Sequence, residues 1–195
     1  TITASHLYAS ELLPPILARI RAEAPALQIE IVASNAIRDL MSREADIAIR
    51  HVRPDQPDLT ARKVAEDDAA LYATPDLLAK GPLATLPFIG YAYEDQYRTM
   101  LAQFGVAVPA ENFVLFSEDS HAQVAMARAG LGVAVMPTWL GDTDAALVRA
   151  QPGAPPLVRF PIWLAAHREL HTSRRIRLVF DRLAEGLATA ARARA

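Results

Sequence analysis

Cysteine is absent from all 195 residues, which removes disulfide scaffolds, thiolate metal sites and cysteine nucleophiles together. A positive surplus is missing too. The 20 Lys and Arg stand against 22 Asp and Glu, for a net charge of −2, so a basic nucleic-acid module is not expected. No apolar run approaches the roughly 18 residues that a membrane helix needs. The opening Thr1-Ile2-Thr3-Ala4 has neither the basic start nor the apolar stretch of a secretory signal. It also lacks an initiator Met, so the sequence reads as a fragment of a longer, cytoplasmic protein. Neither the Gly-x-x-x-x-Gly-Lys phosphate loop nor the Gly-x-Ser-x-Gly nucleophile elbow occurs. Ser5 and His6 are adjacent and cannot by themselves form a nucleophile–base pair. No convergent acid/base pair is visible, and the reading is non-enzymatic, with no cofactor.

What is present is a 52% hydrophobic chain, too apolar for disorder and long enough for one larger domain or two small lobes. Apolar runs and helical patterns alternate from end to end, which is the signature of an α/β protein. Ile2–Ala4 reads as a strand. Leu12, Leu13, Ile16, Leu17 and Ile20 then fall on one helical stripe. Pro14-Pro15 cannot sit deep in a helix, so a short turn over His6–Glu11 is expected, with the main helix starting at the prolines. Leu27–Ala33 alternates as a strand, and Ser34-Asn35 caps a helix through Arg43. Asp46–Ile49 is a buried strand. Leu59–Val64 and Ala69–Ala73 read as two strands separated by the acidic Glu66-Asp67-Asp68.

Further on, the pattern predicts strands at Phe88–Tyr91, Phe113–Phe116, Val133–Met136 and Phe160–Ala165. It predicts helices at Asp95–Phe104 and from Ser120, as the cap, to Ala129. Asp142–Pro156 reads as irregular. The last helix shows Ile176, Val179, Phe180, Leu183 and Leu187 on one face. The first α/β block ends near Ala73 and the second near Arg159, and the remaining strand and helix are too short for a third core.

Two motifs yield to plainer readings. His167-Arg168-Glu169-Leu170-His171 places its glutamate centrally, unlike the zinc helix motifs His-Glu-x-x-His and His-x-x-Glu-His, and a solvated turn is expected instead of a metal site. Gly130-Leu131-Gly132 leaves a helix and enters a strand, the reverse of a dinucleotide loop, and lacks its third glycine. A helix stop at Gly130 accounts for it.

What remains is a set of polar segments directly after strands: Ser5-His6, Ser34-Asn35, Arg50-His51 and Ser117 to His121. Helix starts offer free amide donors and a partial positive charge suited to a carboxylate or other small anion. Ligands of open α/β sheets lie beyond the carboxyl ends of the strands. Recurrence in both blocks points to a shared cleft.

Several segments, in order and across essentially the whole chain, resemble the regulatory domain of LysR-type transcriptional regulators. They are Thr3-Ala4-Ser5 leading to Leu12-Leu13-Pro14-Pro15-Ile16-Leu17-Ala18-Arg19, Asp39-Leu40 with Ala45-Asp46-Ile47-Ala48-Ile49-Arg50, Tyr72-Ala73-Thr74-Pro75, and Ala129-Gly130-Leu131-Gly132-Val133-Ala134-Val135-Met136-Pro137. The second and last are the most specific. Most relatives carry a glycine in the loop after Arg50, where this chain reads His51-Val52-Arg53.

The resemblance implies two Rossmann-like lobes of the type II periplasmic-binding-protein kind around a central effector cleft. Lobe I would be residues 1–70 and 161–195, and lobe II residues 71–160, with hinge strands near Asp68–Ala73 and Phe160–Ala165. It implies a homodimer, or a tetramer, and contact with DNA only through an N-terminal winged helix-turn-helix outside this chain. By the same analogy the effector-binding residues are Ser5, His6, Asn35, Arg50 and His51 from the first lobe. Asp119, Ser120 and Thr138 come from the second, with Tyr91 and Tyr93 as walls. Arg50, His51 and Arg53 favour an anionic effector. An exported solute-binding protein of a transporter shares this fold and is the alternative.

Overall fold

The computed structural model of the protein describes residues 1–35, 45–91, 94–169 and 173–193, with the backbone alone described over 94–96. The chain forms two compact units, Thr1–Asp67 with Phe160–Ala195, and Asp68–Arg159.

In the first unit, β1 (Ile2–Ala4), β2 (Ile31–Ala33) and β3 (Ile47–Arg50) run parallel in the order β2-β1-β3. The antiparallel β9 (Val158–His167) lies beside β3 and sets Ile47 opposite Ala166 and Arg50 opposite Trp163. All four β3 residues are buried, as a continuous apolar run predicts for a parallel strand covered on both faces. The alternating stretch from Leu27 becomes strand only over Ile31–Ala33.

Helical structure follows β1 without the expected break. It begins at His6, winds as a π-helix over Tyr8–Leu12 and continues as α1 (Leu13–Glu23). Pro14 and Pro15 occupy its first turn, where no amide donor is required. The Leu13 amide bonds back to the Tyr8 carbonyl, so the wider turn carries the chain past the prolines. The helix buries Leu13, Ile16 and Ile20.

The last helix, α6 (Arg174–Arg192), buries Val179, Phe180, Leu183 and Leu187 from its expected face. Gly186 lets it approach α1, because a β-carbon there would collide with the Ile16 side chain. Arg182 clamps Glu23 through Nε at 2.6 Å and Nη2 at 3.0 Å, which holds the Glu23 carboxyl below its ordinary range.

In the second unit the later residues of β4 (Leu59–Ala73) pair antiparallel with β7 (Ala134–Pro137) and with β8 (Val148–Arg149). β5 (Phe88–Gly90) and β6 (Phe113–Phe116) pair parallel, and Phe88 bridges to Val133 just ahead of β7. Around them pack α2 (Pro75–Leu78), α3 (Glu94–Gln103), α4 (Ser120–Arg128) and α5 (Thr138–Gly141). Leu71, Phe88, Leu101, Phe113 and Val133 form the core of this unit. Gly130 stops α4 at φ 70°, with its amide on the Ala127 carbonyl at 2.9 Å, a helix stop and not the opening of a phosphate loop.

Two expectations are corrected. The acidic run does not break β4, which is one strand from Leu59 to Ala73. Glu66 pairs with Lys63 at 2.6 Å, the buried Asp67 accepts from the Tyr8 hydroxyl, and Asp68 accepts from Nε and Nη2 of Arg159 at 2.7 and 3.0 Å. Each carboxylate has a partner, so none has to leave the strand for water. The stretch after Asp142 is also not wholly irregular, because Val148–Arg149 adds β8 opposite Tyr72 and Ala73. The helix expected through Arg43 lies outside the described residues.

Candidate functional site

Three neighbouring parallel strands of the first unit end at one sheet edge, and each hands the chain to a polar pair. Ala4 and Ala33 are in register, so β1 delivers Ser5-His6 beside the Ser34-Asn35 delivered by β2. The Ser34 amide donates to the Ala4 carbonyl at 2.8 Å. The His6 amide, at the start of the helix, donates to Asn35 Oδ1 at 3.3 Å. The Ser5 carbonyl accepts the Ala9 amide at 2.9 Å and so closes the first helical turn. On the other side of β1, β3 ends at Arg50. Thus Ser5, His6, Asn35 and Arg50 share the carboxyl edge where open α/β sheets bind ligands.

Arg50 is only 9% exposed. Its Nη2 donates to Thr3 Oγ1 at 2.8 Å and its Nη1 to the Ile49 carbonyl at 2.9 Å. Thr3, wholly buried, therefore fixes the guanidinium that β3 brings to this edge. Its hydroxyl sits on a three-residue strand with no sequence pattern to mark it.

His51 behaves otherwise than a cationic ligand. Its ring packs edge-on against Tyr8 at 4.8 Å and Phe160 at 4.6 Å. Burial, reinforced by the neighbouring Arg50 charge and opposed by the Pro161 carbonyl, pulls its pKa down from 6.5 to about 4. It is neutral at pH 7. Arg53 is also committed elsewhere, with its guanidinium 5.5 Å from the centre of the Trp163 ring, a cation–π stack. Of the three cations from the sequence, Arg50 alone stands at the strand ends with its charge.

The second unit repeats the arrangement. Gly90 and Phe116 are in register at the ends of β5 and β6, and the Ser117 amide donates to the Gly90 carbonyl at 3.0 Å. Tyr91 and the Ser117–Ser120 segment therefore leave the same edge. β7 lies parallel to β5 through the Phe88–Val133 bridge and ends where Thr138 begins α5. The expected Ser120 cap is corrected: Asp119 caps α4, its Oδ1 accepting the His121 amide at 2.8 Å, while Ser120 is the first helical residue and is buried. A carboxylate accepts from the helix amides more strongly than a hydroxyl, which gives Asp119 the position. Tyr91 is half-buried and packs edge-on against Tyr97, with ring centres 5.4 Å apart. Tyr93 lies outside the described residues.

Gln123 is a residue that the pattern did not single out. It is buried, and its amide donates to the Ser117 carbonyl at 2.7 Å and toward Gly90 at 3.4 Å. It pins the loop that carries Asp119 to the end of β5. The available signal was a long polar side chain beside Val124 and one turn before Ala127, on the buried face of α4. Gln123→Leu is expected to cost about 1 kcal/mol, the net worth of a lost hydrogen bond, because the Gly90 carbonyl keeps the Ser117 amide. A lower urea midpoint with faster amide exchange at 117–121 checks it.

Thr138 is held from behind. Its carbonyl accepts the Asp142 amide at 2.9 Å. Asp142 in turn takes the Tyr72 hydroxyl at 2.7 Å and Arg149 at 2.8 and 2.5 Å. The bidentate arginine, with the phenol, holds the Asp142 carboxyl below its ordinary range. Burial and the Asp142 charge push the Tyr72 phenol far up, so it stays a donor.

Among the described residues no three His, Cys, Asp or Glu side chains gather as metal ligands. His167 faces Asp58 at 3.3 Å, and His171 lies outside the description. Among the described residues no helix is long and apolar enough to cross a membrane. The edge of the first unit offers a buried guanidinium and helix-start amides, and that of the second unit offers hydroxyls and an aromatic wall.

Residues 1–188 match the family described as LysR substrate binding domain. No curated protein matches the chain by sequence. The regulatory domain of CrgA, a LysR-type transcriptional regulator from Neisseria meningitidis, is similar at 21% identity with a TM-score of 0.82, covering 95% of this chain and 97% of that one. The structure of CrgA itself gives 21% identity and a TM-score of 0.80 over 95% of this chain and 67% of that one. The effector domain of the transcriptional regulator AmpR of Pseudomonas aeruginosa gives 19% identity and a TM-score of 0.78, over 99% and 96%. These likenesses show the fold, which is periplasmic-binding-protein-like and mixed α/β.

Proposed function

The chain belongs to the LysR substrate-binding-domain family as the effector-binding domain of a LysR-type regulator, and we propose that it senses a small anion taken up between its two units. The reading rests on one observation: in each unit, separately, parallel strands in register end at a single edge carrying the polar residues expected from the sequence. Arg50 and the helix-start amides near His6 supply the positive side of the site. Ser5, Asn35, Ser120 and Thr138 supply hydroxyl and amide groups, and Tyr91 a wall. His51, neutral and packed, sets the shape of the edge.

In this reading the domain catalyses nothing. The effector shifts an equilibrium between arrangements of the units by its differential affinity for them, typically about 1–3 kcal/mol. A homodimer or tetramer of the chain relays the shift to DNA-binding domains outside it, in the cytoplasm.

The test is a melting screen of small carboxylates and phosphates on the protein. A true effector at a hundredfold excess over its Kd is expected to add about 2.7 kcal/mol of stability, and amide exchange is expected to slow in both units. Arg50→Ala is expected to abolish the ligand-induced shift. Protection confined to one unit, or a shift untouched by Arg50→Ala, counts against the proposal.

A further inference from the structure

The first unit also has a recess that starts in the loop after Arg50. It encloses about 600 Å³ between the loop after β3, the first residues of β4 and the turn after β9. The sheet register sets its Arg168 end apart from the site above. Arg168 follows the end of β9 that lies opposite Ile47, the start of β3, whereas Arg50 lies opposite Trp163. The recess therefore extends to the edge where the parallel strands begin.

Its chemistry is lopsided. Arg53 and Arg168 both line it, against the single carboxylate of Asp55. Among the described residues neither guanidinium has a carboxylate partner. Arg53 is nonetheless positioned by its stack on Trp163. The loop is held in place by the Arg168 amide, which donates to the Asp58 carbonyl at 3.0 Å, and by the Leu59 amide on the Gln56 carbonyl at 3.2 Å. Gln56 lines the same recess, and its side-chain Oε1 is buried with no donor. A buried acceptor without a donor is costly unless something else supplies one.

We propose that this recess is a second ligand site, taking a small dianion that also carries a hydroxyl or N–H donor. The anionic groups engage Arg53 and Arg168, and the donor completes Gln56 Oε1. The site does not depend on the strand-end reading, since none of those residues lines it.

Calorimetry of the full chain in low salt with L-malate and with succinate tests it, because the two dianions differ by one hydroxyl. Malate is expected to bind about tenfold tighter than succinate, the factor one well-made hydrogen bond supplies. Arg53→Ala and Arg168→Ala, both at exposed positions, are each expected to weaken both ligands about tenfold. Gln56→Leu is expected to equalise them. Gln56→Glu, which keeps the shape and adds a repelling charge, is expected to abolish both and serves if the leucine variant does not fold. Absence of malate binding, equal affinity for malate and succinate in the unmodified protein, or binding that survives the double arginine variant would each overturn the site. So would malate binding lost in Arg50→Ala but kept in Arg53→Ala.

Discussion

Between pH 6.5 and about 4 the protein is expected to lose about 3 kcal/mol of folding stability through His51 alone. In the unfolded chain the imidazole titrates at its ordinary 6.5, whereas in the folded protein burial lowers this to about 4. The unfolded state therefore binds the extra proton throughout this window, and stability rises with pH across it. The contribution is complete above 6.5 and lost as pH falls toward 4. Asp142 titrates outside the window, because Arg149 and Tyr72 hold it below its ordinary 3.8. Its contribution disappears only in stronger acid.

Urea titrations at several pH values measure the effect, with His51→Phe as comparison. The phenyl ring keeps edge-on packing against Tyr8 and Phe160 but cannot titrate, so its stability curve is expected to be flatter by that amount. Parallel curves for the two proteins would show that His51 charges freely in the folded state. The proton resonances of His51 give the same answer directly and are expected to titrate near 4. The functional corollary is that His51 brings no charge to the strand-end edge at pH 7, where Arg50 is a cation.

Gly141→Ala is expected to destabilise the protein by about 2 kcal/mol, against the usual benefit of alanine in a helix. Replacing a helical glycine gains roughly 0.5–1 kcal/mol. Here, however, the new β-carbon would fall among three atoms of the Tyr72 ring. Overpacking of this kind costs about 1–3 kcal/mol. The upper part of that range applies because the ring is completely buried and its hydroxyl is tied to Asp142, which Arg149 also holds. The clash therefore outweighs the helix gain. Adding Tyr72→Leu to Gly141→Ala is expected to recover at least about 1 kcal/mol relative to additivity, the signature of two residues in contact. A neutral or stabilising Gly141→Ala would mean that the ring has room to move. Since α5 starts at Thr138, the same variant is expected to loosen that end of the strand-end edge.

Much of the architecture is legible in the sequence because it is local. The apolar stripe Val179, Phe180, Leu183 and Leu187 repeats with the helical period and is the buried face of α6. The run Ile47-Ala48-Ile49 has no polar alternation and is a strand buried on both faces. Gly130 stops α4, as the order of helix, glycine and strand required. The strand-end residues could be proposed for the same reason, since polar pairs directly after apolar strands mark the carboxyl edge of a sheet.

What escaped the sequence depends on partners far along the chain. An acidic triplet usually ends a strand, and from local pattern alone Glu66-Asp67-Asp68 had to be read that way. Asp67 stays in β4 because Tyr8 reaches it from 59 positions away, and Asp68 because Arg159 reaches it from 91. His51 is an ordinary histidine in the sequence, and only the rings of Tyr8 and Phe160 closing around it make it neutral. By itself, then, the sequence determined periods, faces and the order of elements, because these follow from neighbours a few residues apart. Tertiary structure alone decided which charges stay ionised and which polar groups stay buried, because desolvation is offset only by the particular groups that folding brings alongside.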